Sequence, residues 1–256
     1  LKSSKAMSQR LQRLRKARLL LPTLAALAGL AVLIGLGTWQ MERKRWKEGL
    51  LTQIAARVHA DPVPLASLPA RTHDKGDLEY THVSVIGRFH HDKERYLYAP
   101  GPAGLGWHVY TPLEIGEGAL VWINRGAVPD ARKAPTTRLE GQVAGEVEVR
   151  GLVRLPSGPG LFAAQNDPAH NLWYWPDLAA MTASAFAGSP LAGKALPLVI
   201  EADAQPAPPG GLPRGGVTRL RLPNRHLEYA LTWYGLAATL AGVYLAFAIS
   251  RLRTST

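Results

Sequence analysis

Two long apolar runs bracket the chain, and the residues between them alternate. Residues 19 to 41, LLLPTLAALAGLAVLIGLGTWQM, carry no charged side chain over 23 positions, which at ~1.5 Å per residue crosses the ~30 Å hydrocarbon core of a bilayer. Pro22 falls in the first turn, where a missing N–H costs little, and Trp39 stands where an interfacial aromatic anchors a span. The triplet Ala26-Leu27-Ala28 looks like a leader-peptidase site, but the apolar run continues well past it, so the segment reads as a transmembrane helix and not a cleaved leader. Residues 229 to 249, YALTWYGLAATLAGVYLAFAI, form the second span, and a polar interior residue such as Thr232 can bond the carbonyl four residues back.

Between the spans the pattern is that of short strands. Val83 and Val85, with Gly87, alternate with Ser84, Ile86 and Arg88; YLYAP, WHVYTPLEI, ALVWINRG, VEVRGLVRL, LPLVIEA and GVTRLRL follow, each bounded by Gly, Pro or Asp. PDLAAMTASAFAG, residues 176 to 188, reads as a helix opened by Pro176 or Asp177 and closed at Gly188. PAPPGGLPRGG, residues 206 to 216, reads as a rigid loop or linker. The expected fold is an α+β membrane protein in which two transmembrane helices, an N- and C-terminal hairpin, flank a mainly antiparallel β extracytoplasmic domain with one or two helices. The segments are a basic cytoplasmic tail at 1–18, helix one at 19–41, the β-rich domain at 42–224, helix two with its interfacial start at 225–250, and a tail at 251–256. The sequence opens on Leu1 rather than Met, so residues upstream of it are expected.

Charge changes this picture by setting a direction. The net charge of +11 is concentrated beside the spans: residues 1–18 hold seven Lys or Arg and no acid, while residues 49–213 hold 13 basic and 16 acidic side chains. Positive charge gathered at apolar segments suits phosphate headgroups and not a nucleic-acid groove. More Lys and Arg precede the first span than follow it, so both termini are expected in the cytoplasm, or in the mitochondrial matrix. The charges round the second span argue the other way, but long loops cross largely regardless of charge.

Candidate chemistry is sparse. No cysteine is present, which excludes disulfides, thiolate metal sites and a cysteine nucleophile. The chain has no G-x-S-x-G, H-E-x-x-H or P-loop, and GPAGLG at 101–106 reads as a turn. His90 and His91 are adjacent and read as a solvated turn, His108 as a strand surface residue, Glu146 and Glu148 as a solvated face, and Asn166 with Asp167 as a turn.

GTWQ at 37–40, INRGAVP at 123–129, GEVEVRGLVR at 145–154, NDPAHNLWYWPDLAAM at 166–181, PPGG at 208–211 and NRHLEYALTWYGLA at 224–237 together resemble the Surf1/Shy1 family. The resemblance runs in order from residue 37 through almost the whole chain. It implies an assembly factor for haem–copper cytochrome c oxidase and not an enzyme, acting on subunit I and on other oxidase subunits. Haem a is the implied cofactor and a haem a synthesis enzyme a further partner. The implied location is the bacterial inner membrane with a periplasmic domain, or the mitochondrial inner membrane. By motif, the histidine linked with haem falls on His226.

A hairpin places Trp39 and Gln40 near His226. By helical spacing His226, Tyr229, Ala230, Trp233 and Ala237 share one stripe, a ligand with aromatic walls and a small-residue floor. Ala238, Gly242 and Ala246 form a second stripe suited to packing on Ala31 and Gly35 or on a partner. The candidate cofactor residues are thus His226, as iron ligand, with Trp233, Tyr229, Trp39, Gln40 and Arg125. An interfacial histidine beside Trp and Tyr also serves simply as an anchor, and Arg125 and Arg88 as strand-end arginines in water. A cofactor-free chaperone is therefore the alternative function. An unrelated anchored hydrolase is disfavoured by the missing nucleophile motifs.

Overall fold

The computed structural model describes residues 19–68, 78–100, 105–116, 118–218 and 224–254. They fall into two compact units, a helical one and a β-rich one, with the division at residues 52/53 and 220/221.

The helical unit holds most of α1 (Leu20–Val58) and all of α3 (His226–Thr254). Helix α1 does not stop where its apolar run ends. Residues 42–58 are mostly good helix formers with a Lys44–Glu48 ion pair at 2.7 Å, so the helix continues past the charges that would halt a membrane span. The two helices run antiparallel: Thr23 Oγ1 lies 2.5 Å from Tyr244 Oη near one end, and Thr38 Oγ1 lies 3.3 Å from Tyr234 Oη towards the other. Small residues make the contact. Ala26, Gly37, Ala230 and Ala237 are buried, and a Cβ on Gly37 would come within 2.6 Å of the Tyr234 ring.

That contact corrects the expected packing of the second stripe. Ala238, Gly242 and Ala246 are exposed on α3, Ala31 and Gly35 are exposed on α1, and a Cβ on Gly35 or Gly242 would meet nothing within 4 Å. At 100° per residue these positions lie on the far sides of their helices from Gly37 and Ala237, so they cannot face one another.

The β-rich unit is built on an eight-stranded mixed sheet: β1 (Val63–Pro64), β2 (His82–Phe89), β3 (Arg95–Tyr98), β4 (Gly106–Ile115), β5 (Ala119–Pro129), β6 (Glu146–Arg154), β7 (Leu172–Trp173) and β8 (Ala195–Ala202). Strand order is β1-β2-β6-β8-β5-β4-β3-β7, and a further pairing of β2 with β4 closes β2, β6, β8, β5 and β4 into a small barrel. Of the eight pairings five are antiparallel; β1–β2, β3–β7 and β5–β8 are parallel. Gly87 makes closure possible. It pairs with Val147 on β6, and its missing side chain leaves room for the Glu114 carbonyl of β4, which a Cβ would meet at 2.3 Å.

Alternation along the strands sends Val83, Val85, Leu113, Val121, Ile123, Val149 and Ile200 into one core. Strand β5 is apolar on both faces, because Leu120 and Trp122 pack into a second core under helix α2 (Leu178–Ala185). Leu178, Met181 and Ala185 supply the helical face, Trp122 Nε1 donates to Thr182 Oγ1 at 2.9 Å, and the Asp177 side chain caps the helix by accepting from the Ala180 N–H.

The 206–216 segment is the rigid loop of the two alternatives: Arg214 and Ala127 exchange both backbone bonds at 2.9 Å, and Gly216 N donates to Ala202 O at 2.8 Å. Of the expected strand GVTRLRL, residues 216–218 join no ladder and 219–222 lie outside the described residues. The 1–18 tail and residues 255–256 also lie outside them.

Candidate functional site

The apolar length of α1 ends at Met41, and α3 begins at His226, just before its own apolar length. Antiparallel pairing brings these ends to one level. There His226 Nδ1 lies 2.8 Å from Gln40 Oε1. A carboxamide oxygen only accepts, so the imidazole donates from Nδ1 and Nε2 keeps its lone pair. No protein partner occupies Nε2 among the described residues. An imidazole whose Nδ1–H is held by an acceptor is the usual arrangement of a metal-ligating histidine, because the bond fixes both tautomer and ring orientation.

His226, Gln40, Lys47, Arg225 and Tyr229 line a shallow recess of about 270 Å³. Its chemistry is one open imidazole nitrogen, one aromatic ring that is 55% exposed, and two cationic side chains. That set suits a ligand with a metal centre and acidic substituents. The donor set is compatible with a haem, for which His226 could supply an iron ligand and Lys47 with Arg225 could meet carboxylates. The recess is too small to enclose a macrocycle, so a ring held by His226 would present one face outside this chain. Among the described residues no group of three or more His, Asp or Glu is arranged to hold a metal ion unaided.

The remaining candidates are dispersed. Trp233 is half-buried on the same stripe as His226, one step deeper, and does not line the recess. Trp39 is 53% exposed and is rotated about 100° from Gln40, off the face that meets α3. Arg125 lies in the interior of the β domain, only 7% exposed, so it is not a solvated strand-end arginine. Arg88 is exposed.

Arg125 belongs to a buried ionic cluster that sequence reasoning missed. Glu94 is bound by Arg138 in a fork, Nη1 to Oε1 at 3.2 Å and Nη2 to Oε2 at 2.5 Å, while Arg125 Nη1 reaches Oε1 at 3.4 Å and its Nη2 donates to the Gly141 carbonyl. Burial alone would push the Glu94 carboxyl up; neighbouring His91 and Arg138, with the charge of Arg125, outweigh it and hold Glu94 at about 2. His90 and His91 are likewise not a solvated turn. His90 Nε2 lies 2.8 Å from Glu114 Oε2, and His91 Nε2 lies 3.0 Å from the Val143 carbonyl. Asn166 and Asp167 do form turns, with Asn166 Oδ1 accepting from Tyr174 N and Asp167 Oδ2 at 2.7 Å from His170 Nδ1.

Two helices long and apolar enough to cross a bilayer, one before and one after a β-rich domain with a small barrel in the chain, define the class as a membrane-protein architecture. The SURF1 family profile matches residues 27–238. The chain is 40% identical to Surfeit locus protein 1 of Mus musculus over 233 residues, 85% of this chain and 72% of that protein. It is 40% identical to Surfeit locus protein 1 of Homo sapiens over 230 residues, 83% and 72% of the two chains, and 38% identical to a SURF1-like protein of Monosiga brevicollis over 220 residues, 81% and 80%. The chain belongs to the SURF1 family, a family involved in cytochrome c oxidase assembly.

Proposed function

We propose that this protein serves cytochrome c oxidase assembly by holding haem a at His226 for subunit I. The observation that carries the reading is the Gln40–His226 bond, which prepares Nε2 as an open nitrogen at the membrane interface. When bound, the haem would supply an iron centre for axial ligation and no bond-making step; the protein's part is to bind and orient it and then release it. Lys47 and Arg225 would pair with its carboxylates, and Tyr229 would flank the ring. A lipid-soluble haem would reach the site sideways from the bilayer, donated by a haem a synthesis enzyme. Subunit I, and other oxidase subunits, would meet the exposed side of the site.

In this reading both termini are cytoplasmic and the β domain lies outside the bacterial inner membrane, or in the corresponding place of the mitochondrial inner membrane. The chain has no native cysteine, so topology can be read with single introduced ones. A membrane-impermeant thiol reagent should label Phe162→Cys and not Ser255→Cys; the reverse pattern would invert the orientation.

The haem test is spectroscopic. Detergent-purified protein should show a Soret band that His226→Ala loses at equal protein level, whereas His226→Met should shift it, since a thioether still ligates iron. An unchanged spectrum in His226→Ala would remove the ligand role. A cofactor-free chaperone is the second reading, favoured by the exposed Ala238, Gly242 and Ala246, a surface on which a partner helix can pack closely. It requires that no Soret band accompany the active protein.

A further inference from the structure

The buried cluster of the β domain contains one positive charge too many. Glu94, Arg125 and Arg138 are 3%, 7% and 6% exposed. Arg138 alone forks across both oxygens of Glu94, so that pair is complete. His91 adds no second negative charge: its Nε2 lies 3.0 Å from the Val143 carbonyl, and its Nδ1 lies 3.4 Å from Arg125 Nη1 and 3.9 Å from Glu94 Oε1. Arg125 is the surplus cation. Its protein bonds are those to His91, Glu94 and the Gly141 carbonyl. Of its five N–H groups, the Nε–H and one on Nη2 have no acceptor among the described residues.

Arg125 also lines a cavity of about 220 Å³ whose walls include Phe89, Val143, Val147 and Pro206. The other charged side chains of the lining cancel in pairs. Arg150 forks onto Glu148, with Nη2 to Oε2 at 3.0 Å, and Asp203 is 2.8 Å from His82 Nε2. The cavity therefore has largely apolar walls and one guanidinium whose carboxylate, Glu94 at 3.4 Å, is shared with Arg138, and which lies 4.9 Å over the Phe89 ring.

We propose that this cavity is a binding site for a small organic carboxylate, which neutralises Arg125 while its apolar body rests on Phe89, Val143, Val147 and Pro206. A buried charge that must share its one carboxylate is costly, and burial has already pulled the Arg125 guanidinium down to about 10, partly countered by Glu94. An anion on the free N–H groups removes that cost, and a carboxylate matches the planar fork of a guanidinium. The volume corresponds to about seven waters at ~30 Å³ each, enough for one ring or a short branched chain and too small for a tetrapyrrole. The inference is independent of the haem reading, since His226→Ala leaves this site intact.

The test uses full-length protein in detergent and two fluorinated probes of one shape, 4-fluorobenzoate and the neutral 4-fluorobenzyl alcohol, followed by fluorine NMR. Saturable binding of the carboxylate and not of the alcohol is expected. Arg125→Gln should weaken the carboxylate by about tenfold or more. It should still fold, because Glu94 retains Arg138. If it does not fold, Ala207→Trp decides: Ala207 is an exposed lining residue, and its indole should fill the cavity and abolish binding with Arg125 in place. Equal binding of the two probes, no saturable binding, or undiminished binding in Ala207→Trp overturns the site.

Discussion

Gln40 and His226 are separated by 186 residues of sequence and by 2.8 Å in space, one at the end of the first apolar run and the other at the start of the second. Because the acceptor sits on the opposite helix, the tautomer of the histidine depends on how the two helices are paired. The side chain that would meet a ligand and the contact that holds the hairpin are one feature.

That coupling makes Gln40 a positioning residue. Gln40→Leu should weaken haem binding about 10- to 100-fold while His226 is still present, as loss of an outer-shell partner does at other metal-ligating histidines. Gln40→Glu, which keeps an acceptor, should bind near wild type. Soret titration of purified protein gives both numbers. Equal affinity in Gln40→Leu would show that Nδ1 needs no partner.

Two glycines of the same helix should behave oppositely. Gly37→Leu drives a side chain into the Tyr234 ring, which a Cβ alone approaches to 2.6 Å, and should cost about 1–3 kcal/mol of stability. Gly35→Leu enters open space and should be neutral or stabilising, by up to ~1 kcal/mol of helix propensity. Thermal unfolding in detergent separates the two, and a comparable loss in both would mean the helix contact lies elsewhere.

Glu94 sets the acid limit of the β domain. Its carboxyl is held at about 2 against an ordinary 4.5, so its contribution is fully present above pH 4.5 and is lost as pH falls through about 2. The shift corresponds to stability on the order of 3 kcal/mol. Glu94→Gln should destabilise the domain by about 3–5 kcal/mol, because two buried guanidiniums lose their carboxylate. It should also flatten stability across that acid window. A wild-type acid profile in the variant would contradict the assignment.

His82 imposes the opposite slope. Its Nδ1 is 2.8 Å from the Ala60 carbonyl and its Nε2 is 2.8 Å from Asp203. Two acceptors need two N–H groups, so the ring is held as imidazolium. Burial and the charge of Arg150 work against this, but Ala60 and Asp203 prevail and its pKa is raised above 6.5. The bond is therefore fully present below pH 6.5 and weakens as pH rises through the folded value. Protection of the amides after Val58, corrected for the base-catalysed rise of intrinsic exchange, should fall at alkaline pH by a stability loss of under about 1 kcal/mol because the site is partly solvated. His82→Gln should show no such slope.

The parts legible in the sequence were those that local pattern controls. Twenty-three uncharged positions identify a span wherever they occur, and alternation bounded by Gly or Pro placed β2, β4, β5, β6 and β8 within a few residues. Helix α1 runs on to Val58 beyond its apolar length, because charge ends a membrane crossing without ending a helix. Barrel closure was hidden because it depends on Gly87 of β2 meeting Glu114 of β4, a contact that neither strand signals alone. The cluster of Glu94, Arg125 and Arg138 was hidden for the same reason: nothing local to any of the three shows that folding brings a strand and two distant turns together. In the helices, spacing correctly separated the two stripes of α3 but not which one the partner helix covers.

The place of β8 in the barrel fixes an order of events during synthesis. This strand lies between β5 and β6 and is the last of the barrel strands to be made. Until residue 202 has emerged, β5 and β6 each offer an unpaired edge, a template for wrong strand addition. Only the 203–225 segment then precedes the second membrane helix. The barrel can close only as that helix arrives, so the nascent chain remains vulnerable until synthesis is nearly complete and needs protection until then.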